Sequence, residues 1–256
     1  MGMLENRTVI ITGCSSGIGL ATTTRALREG ARVLGVDINS PSPSLGSSDN
    51  FQFLQCNITD THAPAKVVQT CVDAYGDRID SLLNVAGVMD LLGSADNFTD
   101  ETWDKCIDVN LAAPVRLMRE VLPFMRRQRC GTIVNVASKG GLSGAVAGVA
   151  YTASKHGLVG ASKNVAWRFR DENIRCNVVC PGSVATSMTG DSDPRDLDFD
   201  AFQAIKPVVT AHLGPNMDAY SIASEQVAAA IIFLASDSSA GMNGVVLPVD
   251  NSWSTI

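Results

Sequence analysis

The sequence contains few histidines and few aromatic residues, and its net charge is negative. Its 256 residues include three histidines and 5% aromatic residues, and acidic residues exceed basic ones to give a formal net charge of −6. An acidic chain lacks the basic surface that nonspecific binding to nucleic acid or to anionic membranes requires. The histidines do not lie at the spacing of zinc ligands, so we expect no catalytic metal.

Long apolar runs and a targeting segment are missing as well. The longest apolar run near the C-terminus covers residues 227–235, which is too short to span a bilayer. The start lacks the basic end and apolar run of a signal peptide, and Asn6 stands where a myristoylation signal needs Ser or Thr. We therefore expect a soluble protein of the cytoplasm.

The seven cysteines form no C-x-x-C pair, which argues against a disulfide framework or a metal site. Several lie in apolar runs, as Cys176 and Cys180 do, so we expect buried, reduced thiols. Hydrophobic residues make up 45% of the chain and charged residues 18%, which indicates a globular protein with a sizeable core.

The N-terminal segment has the pattern of a buried strand that leads into a glycine-rich turn. A strand is predicted over residues 7–12, because the chain is β-branched and apolar without alternation from Thr8 onward. A helical stretch to residue 29 follows the turn. Glycines let the backbone approach a pyrophosphate closely, and the new helix offers free N–H groups. The predicted phosphate-binding turn comprises Gly13, Ser15, Ser16, Gly17, Ile18 and Gly19.

A second strand, residues 32–37, ends in an acidic residue that points to the choice of cofactor. Asp37 follows Gly19 by 18 residues. An acid at this place in a dinucleotide fold accepts hydrogen bonds from the adenosine ribose and repels a 2′-phosphate. Ile38 comes next where an arginine would favour NADP, so the sequence favours NAD. The alternative is that Asp37 only opens a turn.

Buried strands and helices alternate along the rest of the chain. This alternation predicts one α/β domain over residues 1–256, with a parallel sheet covered on both faces. Within the helical region 100–128, Asn110 is unfavourable in a helix and its presence requires an explanation. Pro114 and Pro123 are expected to interrupt this region, and Pro123 to start a short terminal turn. Residues 39–50 are loop-like and indicate a shortened or lost helix. The remaining strands are predicted at residues 51–55, 79–85, 131–137 and 175–179, and the helices at 63–75, 100–128 and 151–170.

Residues 138–155 combine a hydroxyl, a glycine-rich loop, a phenol and an ammonium. If a helix begins near residue 149, Tyr151 and Lys155 lie one turn apart on the same face. An ammonium beside a phenol favours the phenolate, so we expect a lowered Tyr151 pKa and general acid–base catalysis near neutral pH. A Tyr-x3-Lys pair also arises by chance on solvated helix faces, so the pair alone decides nothing.

Several motifs in a fixed order give the chain a specific resemblance over nearly its whole length. The turn with Thr12, Gly13, Gly17 and Gly19 resembles the T-G-x3-G-x-G turn of the short-chain dehydrogenase/reductase family. Residues 244–250 resemble the closing strand of that family. Its N-N-A-G motif is matched by Asn84, Ala86 and Gly87. Its catalytic tetrad is matched by Asn110, Ser138, Tyr151 and Lys155. Its P-G-x-V-x-T motif is matched by Pro181, Gly182, Val184 and Thr186. Departures are Val85 in the first motif, Lys139 after the serine, and Asn251 and Ser252 in place of a common Gly-Gly.

The resemblance implies a Rossmann-type, doubly wound sheet of seven parallel strands in the order 3-2-1-4-5-6-7, with the cofactor across the carboxyl edge. It implies that Tyr151 is the acid/base, that Lys155 holds the ribose hydroxyls, and that Ser138 binds the substrate oxygen. Asn110 would hold a water that relays protons to Lys155. Asn57, with Ile58 beside it, stands where the family usually has an aspartate at the adenine ring.

Residues 187–219 occupy the position of the family's variable substrate loop. Apolar residues there are expected to form amphipathic helical turns that close over a ligand. This pattern favours a hydrophobic secondary alcohol or ketone, such as a steroid-, terpenoid- or polyketide-like ring compound of secondary metabolism, although the same residues could be core. The five aspartates between Asp191 and Asp200 are interpreted as a solvated face.

The leading hypothesis is an NAD-dependent alcohol dehydrogenase or ketone reductase. Two alternatives stay open: an isomerase, lyase or cyclase that reuses the Tyr–Lys pair, and an NAD-binding regulator without turnover. The resemblance also implies a homodimer or homotetramer built on the helices near residues 100–128 and 151–170 and on the last strand. We expect a small-molecule substrate, and neither nucleic acid nor membrane insertion.

Overall fold

One sheet forms the centre of the protein, and the structure, a computed structural model, describes residues 2–184, 197–214 and 221–255. The strands are β1 (Thr8–Thr12), β2 (Arg32–Asp37), β3 (Phe51–Gln55), β4 (Ser81–Asn84), β5 (Gly131–Val136), β6 (Ile174–Pro181) and β7 (Val246–Val249). They pair in parallel in the order β3-β2-β1-β4-β5-β6-β7. The predicted Rossmann-type order is therefore confirmed.

Helices cover both faces of this sheet. They are α1 (Gly17–Arg28), α2 (Ala63–Tyr75), α3 (Asp100–Ile107), α4 (Ala113–Gln128), α5 (Val149–Arg168), α6 (Phe199–Leu213) and α7 (Ser224–Ala235). Helix α1 packs beside α7, and α2 packs beside α4. These two pairs belong to different apolar clusters.

Strand β1 shows why the strands lack alternating polarity. Its Val9 and Ile11 contribute to the cluster under α1 and α7, whereas Ile10 contributes to the cluster under α2 and α4. Successive side chains of a strand point to opposite faces, so a strand covered on both faces must be apolar throughout. All three side chains are fully buried.

The strand order reverses at β1, which lies between β2 and β4. Crevices for ligands form outside the carboxyl ends of parallel strands at such a reversal. In the register of the sheet, Thr12 pairs with Asn84 and Asn84 pairs with Asn135, so the ends of β1, β4 and β5 lie side by side.

The helical region 100–128 is interrupted just before Pro114, as predicted, but Pro123 does not interrupt it. A π-helical segment, Asp108–Ala112, separates α3 from α4. Pro123 lies inside α4, so the predicted terminal turn is wrong. Proline removes the N–H that would bond to the carbonyl four residues earlier, here that of Arg119, which is exposed and open to water. The buried Val121 and Met125 keep this part of the helix on the core.

Other differences from the predicted elements are small. Boundaries shift by up to two residues, and residues 39–50 contain a short 3-10 turn at Pro43–Leu45 in place of a full helix. The described part of the predicted substrate loop is residues 197–214, which include α6. Across the described ranges, no helix is both long enough and apolar enough to cross a membrane.

Candidate active site

The turn after β1 is fastened to the turn after β4 by one threonine. The Thr12 hydroxyl oxygen accepts hydrogen bonds from the Val85 and Ala86 N–H groups, at 3.1 and 3.2 Å. Gly13 has a φ of +73°, and a β-carbon there would lie 2.9 Å from the Ala86 backbone. Only glycine fits both the left-handed conformation and the close approach. Gly87 follows directly, so the two predicted cofactor motifs meet at one edge of the sheet.

The start of α1 fits a bound dinucleotide phosphate. Ser16 is the N-cap residue but its side chain caps no N–H group, and the first turn, which holds Gly17, Ile18 and Gly19, carries no acidic residue. The first N–H groups of a helix have no partner within the helix, and its dipole makes this end positive. Free N–H groups and the absence of negative charge are what a pyrophosphate requires.

Asp37 links the end of β2 to the glycine-rich turn. One carboxylate oxygen accepts from the Ser15 N–H at 2.9 Å, and the other accepts from the Asn39 N–H at 3.0 Å. Asp37 therefore both opens a turn and lies beside the predicted phosphate-binding turn. Ile38 projects next to it with 61% of its surface exposed.

The remaining predicted cofactor residues of strands β3 and β4 have different surroundings. Asn57 is held in a local turn, where its side chain bonds to Thr59 and Asp60. Ile58 is buried in the apolar cluster under α2 and α4. Asn84 donates to Asn135 at 2.7 Å, while its own side-chain oxygen is buried without a partner in the described chain. That orphaned acceptor lies at the carboxyl edge, beside the turns described above.

The segment after β6 closes the far side of the edge. The Gly182 N–H donates to the Val249 carbonyl at 3.0 Å, and a β-carbon on Gly182 would lie 2.8 Å from the Asp250 side chain. Pro181 ends β6, and Val184 forms an isolated bridge with Ile222. The predicted Thr186 lies outside the described residues.

Tyr151 and Lys155 are buried side by side on the first turns of α5, which excludes the solvated-face alternative. Tyr151 is 6% exposed and Lys155 is 3% exposed. Lys155 Nζ donates to the Val136 carbonyl at 3.0 Å and lies 5.5 Å from the centre of the Tyr151 ring. The Tyr151 phenol forms a hydrogen bond with the Ser138 side chain, which accepts from the Gly140 N–H at 3.0 Å. The structure thus brings Ser138, Tyr151 and Lys155 together at the end of β5.

The expected lowering of the Tyr151 pKa is wrong for this arrangement. Burial raises the pKa of Tyr151 to about 12, because a phenolate loses its hydration, and the hydrogen bond to Ser138 only partly offsets this effect. Burial also lowers the pKa of Lys155 to about 8, so the ammonium form still prevails at pH 7. The loss of water around both groups outweighs their proximity.

Asn110 lies in the π-helical segment, and its side chain bonds both to the chain that follows β4 and to α5. Its side-chain amide donates to the Val88 carbonyl at 2.9 Å and to Ser154 Oγ at 3.1 Å, and its oxygen accepts from the Val88 N–H at 2.9 Å. Pro114 stands four residues later and has no N–H to bond to the Asn110 carbonyl, so one α-helical hydrogen bond is missing where the π-helical segment forms. The spacing from Asn110 to Pro114 was the signal for the irregular segment.

Asp90 is a site residue that the sequence patterns did not reveal. It is 6% exposed, and its carboxylate accepts from the Tyr151 N–H at 2.9 Å. The sequence contains one indirect signal: Gly148, the N-cap residue of α5, has no side chain that could cap the helix. A partner from elsewhere in the chain was therefore needed.

Comparisons with known proteins agree with this architecture. A family model described as short chain dehydrogenase matches residues 7–196. Asnovolin H dehydrogenase nvfC of Aspergillus novofumigatus is 55% identical over 257 aligned residues, which cover 100% of both chains. Short chain dehydrogenase adrF of Penicillium roqueforti is 51% identical, again with 100% of both chains covered. Among solved structures, levodione reductase has a TM-score of 0.86 at 30% identity and covers 98% of this chain and 99% of its own.

A parallel sheet of this order, with a glycine-rich turn after β1 and a Tyr–Lys pair beside β5, defines a dinucleotide-binding oxidoreductase. More particularly, the chain belongs to the short-chain dehydrogenase/reductase family. Enzymes of this family bind NAD(H) or NADP(H).

The packing of the glycine-rich turn predicts an unusual response to substitution. A β-carbon on Gly19 would lie 1.8 Å from the Gly13 carbonyl oxygen, whereas one on Gly144 would have no atom within 4 Å. Alanine normally stabilises a helix over glycine by up to about 1 kcal/mol. We nevertheless expect Gly19→Ala to lower the free energy of unfolding by at least about 1 kcal/mol, because the turn must open.

Urea denaturation followed by circular dichroism measures this effect. Gly144→Ala, in the open loop between β5 and α5, is the control for the added methyl group and should retain wild-type stability. A Gly19→Ala variant as stable as the wild type would show that the turn is not packed as described.

Proposed function

We propose that the protein transfers a hydride between NAD(H) and a secondary alcohol or the corresponding ketone. The observation that carries this proposal is the pair of buried side chains Tyr151 and Lys155, with the half-buried Ser138 beside them at the carboxyl end of β5, next to the turns that fit a dinucleotide. When bound, the nicotinamide supplies the carbon that accepts or gives up the hydride. The chain's own residues handle the proton and the orientation of the reactants.

Tyr151 is the proposed acid/base. In alcohol oxidation its phenolate takes the proton of the substrate hydroxyl as a hydride leaves the carbon that carries this hydroxyl. In ketone reduction the phenol gives a proton to the carbonyl oxygen as a hydride is added to the carbonyl carbon. The Ser138 hydroxyl hydrogen-bonds the substrate oxygen and so holds it beside the phenol. Because burial raises the pKa of Tyr151 to about 12, its deprotonation must be assisted by positive charge. The Lys155 ammonium and the cationic ring of the oxidised nicotinamide are the proposed sources.

Lys155 and Asn110 form the proposed proton path behind the tyrosine. Lys155 uses one proton to bond the Val136 carbonyl, and its other two are proposed to bond the ribose hydroxyls and a water. Both side-chain donors of Asn110 are occupied by Val88 and Ser154. Pro114 has no N–H to donate to the backbone carbonyl of Asn110. We therefore propose that this carbonyl accepts a hydrogen bond from that water.

The proposed preference for NAD rests on Asp37 and its neighbour. The carboxylate of Asp37 adjoins the Ser15 N–H at the phosphate-binding turn, so a 2′-phosphate would meet negative charge there. Ile38 offers an apolar surface and no cation. Asn57 and Ile58 remain the proposed neighbours of the adenine ring.

A hydrophobic ring compound is the proposed substrate, because apolar side chains of α6 face the catalytic segment. Val209 and Leu213 form a buried cluster with Trp253, against which Val146 packs. The Trp253 ring stacks on His212 of α6, with centroids 4.7 Å apart. Names of relatives, a dehydrogenase of asnovolin H and a reductase of levodione, fit an alcohol/carbonyl couple.

Two departures from the family pattern shape this part of the pocket. Lys139, next to the catalytic serine, is buried and donates to the Trp253 carbonyl at 3.2 Å. Asn251 and Ser252 have φ values of +50° and +70°, the left-handed conformation that favours the common Gly-Gly. The C-terminal turn is thereby tied both to the catalytic segment and, through His212, to α6.

Removal of the phenol hydroxyl tests the acid/base assignment. A panel of cyclic secondary alcohols with NAD, and of cyclic ketones with NADH, should reveal turnover by the change in NADH fluorescence. Tyr151→Phe should then lower kcat by at least about 100-fold and leave NAD affinity unchanged, because the group moves a proton and does not hold the dinucleotide.

Tyr75→Phe is the matched control, since Tyr75 bonds the Val33 carbonyl on β2 and should leave activity intact. Mass spectrometry of the product separates the reaction classes: a dehydrogenase removes two hydrogens, whereas an isomerase changes no mass. Full activity in Tyr151→Phe would defeat the assignment.

Cofactor titration tests the role of Asp37. The wild type should bind NAD at least tenfold more tightly than NADP, which corresponds to about 1.4 kcal/mol. Asp37→Ser should reduce the preference for NAD over NADP, because the substitution removes the negative charge yet keeps an acceptor for the Ser15 N–H. Asp49→Ser, in an exposed loop, should leave the ratio unchanged. Equal affinities of the wild type for both dinucleotides would overturn the preference.

A second copy of the chain is the proposed occupant of a groove between α4 and α5. The groove has a volume of about 420 Å³ and is lined by Val115, Met118, Leu122, Ala161, Val165 and Phe169, among others. Val115→Glu should convert the expected dimer or tetramer into a smaller species in sedimentation experiments, whereas Ala65→Glu, exposed on α2, should not. A wild-type monomer would contradict this assembly.

A further inference from the structure

The helix that carries Tyr151 begins without a cap of its own. Gly148 is the N-cap residue of α5, and it has no side chain to accept from the first N–H groups. Those groups have no partner within the helix and are costly to bury unpaired. Tyr151, the third residue of the helix, is itself buried, so water does not replace the cap at this end.

Asp90 supplies the missing acceptor from the segment after β4. One carboxylate oxygen accepts from the Gly148 N–H at 3.0 Å and from the Leu92 N–H at 3.2 Å. The other oxygen accepts from the Tyr151 N–H at 2.9 Å. The Val149 N–H adds a bond to the Gly93 carbonyl at 2.9 Å. Three of the four residues from 148 to 151 thus donate a backbone hydrogen bond to residues 90–93.

The fit between this carboxylate and the helix is close. A β-carbon on Gly148 would lie 2.5 Å from Asp90 Oδ2 and 2.7 Å from the Gly93 carbonyl oxygen. Charge-assisted bonds of this kind are stronger than neutral ones, and a negative charge at a helix N-terminus is favoured by the dipole. Asp90 therefore sets where the first turn of α5 lies.

The same segment also holds the start of α6. Asp198, whose side chain accepts from the Ala201 N–H at 2.8 Å, is the N-cap residue of that helix. Its own N–H donates to the Leu91 carbonyl at 3.1 Å, and its carboxylate accepts from the Asn97 amide. Residues 90–98 consequently touch the helix with the proposed acid/base and the helix over the proposed substrate pocket.

Besides capping the helix, the Asp90 carboxylate places a negative charge near the Tyr151 phenol. The groups that face Tyr151 are Asp90, Cys106 on α3, Cys180 on β6, Lys155 on α5 and the Ser138 hydroxyl. Burial raises the pKa of each of the two thiols to about 11, so both are neutral at physiological pH. Asp90 is then the anion among them, and it raises the pKa of Tyr151.

We propose that Asp90 is a positioning residue for Tyr151, which caps α5 from outside the helix and fixes the phenol beside Ser138. The catalytic part of this proposal rests on the proposed function, in which Tyr151 is the acid/base. Two opposed effects follow: the carboxylate places the phenol correctly, and its charge disfavours the phenolate. Replacement by the isosteric amide separates them, because Asp90→Asn keeps the volume and removes the charge.

Amide hydrogen exchange tests the cap without any substrate. In Asp90→Asn, an amide N–H group faces one of the helix donors, and in Asp90→Ala both acceptors are gone. We expect the amides of residues 148–151 to exchange at least about tenfold faster in both variants. Asp96→Asn removes the same charge from an exposed site in the same segment and should exchange as the wild type does. Unchanged exchange in both Asp90 variants would overturn the proposal.

The pH dependence of alcohol oxidation tests the positioning role against a merely structural one. With the alcohol selected by the screen above, Asp90→Asn should lower kcat by about 10- to 100-fold near neutral pH, because a small displacement of a reacting group costs about this much. Removal of the anion lowers the pKa of Tyr151, so the rise of kcat with pH should move to lower pH. Asp96→Asn should show the wild-type profile.

Each outcome has a distinct meaning. Faster exchange with an acid-shifted profile supports the proposal. Faster exchange with kcat reduced equally at every pH would reduce Asp90 to a structural cap and contradict the positioning role. Absence of turnover in the wild type would refute the proposed function, whereas the exchange of residues 148–151 would still decide whether Asp90 holds the helix.

Discussion

Burial of a tyrosine beside a lysine at the end of β5 is the constraint on which this structure depends. Both groups lose hydration, and each loss must be met by a nearby partner. Lys155 finds the Val136 carbonyl, and Tyr151 finds the Ser138 hydroxyl. The loop between β5 and α5 must therefore allow α5 to lie close to the end of β5. Gly140 and Gly141 do so, since β-carbons there would lie 3.2 Å from the Tyr151 ring and 3.0 Å from the Lys155 carbonyl oxygen.

The same burial bears on the proton transfer proposed for the pair. Loss of water pushes the pKa of Tyr151 up to about 12 and that of Lys155 down to about 8, so the phenol is held protonated and the amine is primed to exchange its proton. An environment that disfavours charge is also one in which a newly introduced positive charge acts strongly. The site is thus arranged so that the proposed cofactor would determine when the tyrosine ionises.

Much of the fold follows from local sequence patterns, because parallel strands buried on both faces are apolar without alternation and end in small residues. The β1 strand, its glycine-rich turn and Asp37 at the end of β2 are of this kind. The strand order and the roles of the tetrad came from resemblance to a family, since no local pattern fixes which strands become neighbours. The interrupted helix had a local signal in Pro114, four residues after Asn110.

Other features could not be read from local patterns, because they arise from contacts between distant segments. The cap on α5 comes from Asp90, 58 residues before Gly148 in the chain. The continuation of α4 through Pro123 depends on the core beneath Val121 and Met125. The sign of the Tyr151 pKa shift depends on burial, which spacing along a helix does not report.

A crystal structure of the protein with NAD and a slowly reacting alcohol tests the central claim most directly. It should show the Tyr151 phenol and the Ser138 hydroxyl bonded to the alcohol oxygen beside C4 of the nicotinamide, with Lys155 on the ribose hydroxyls. A nicotinamide ring bound away from the end of β5, or a tyrosine turned away from the alcohol, would contradict it.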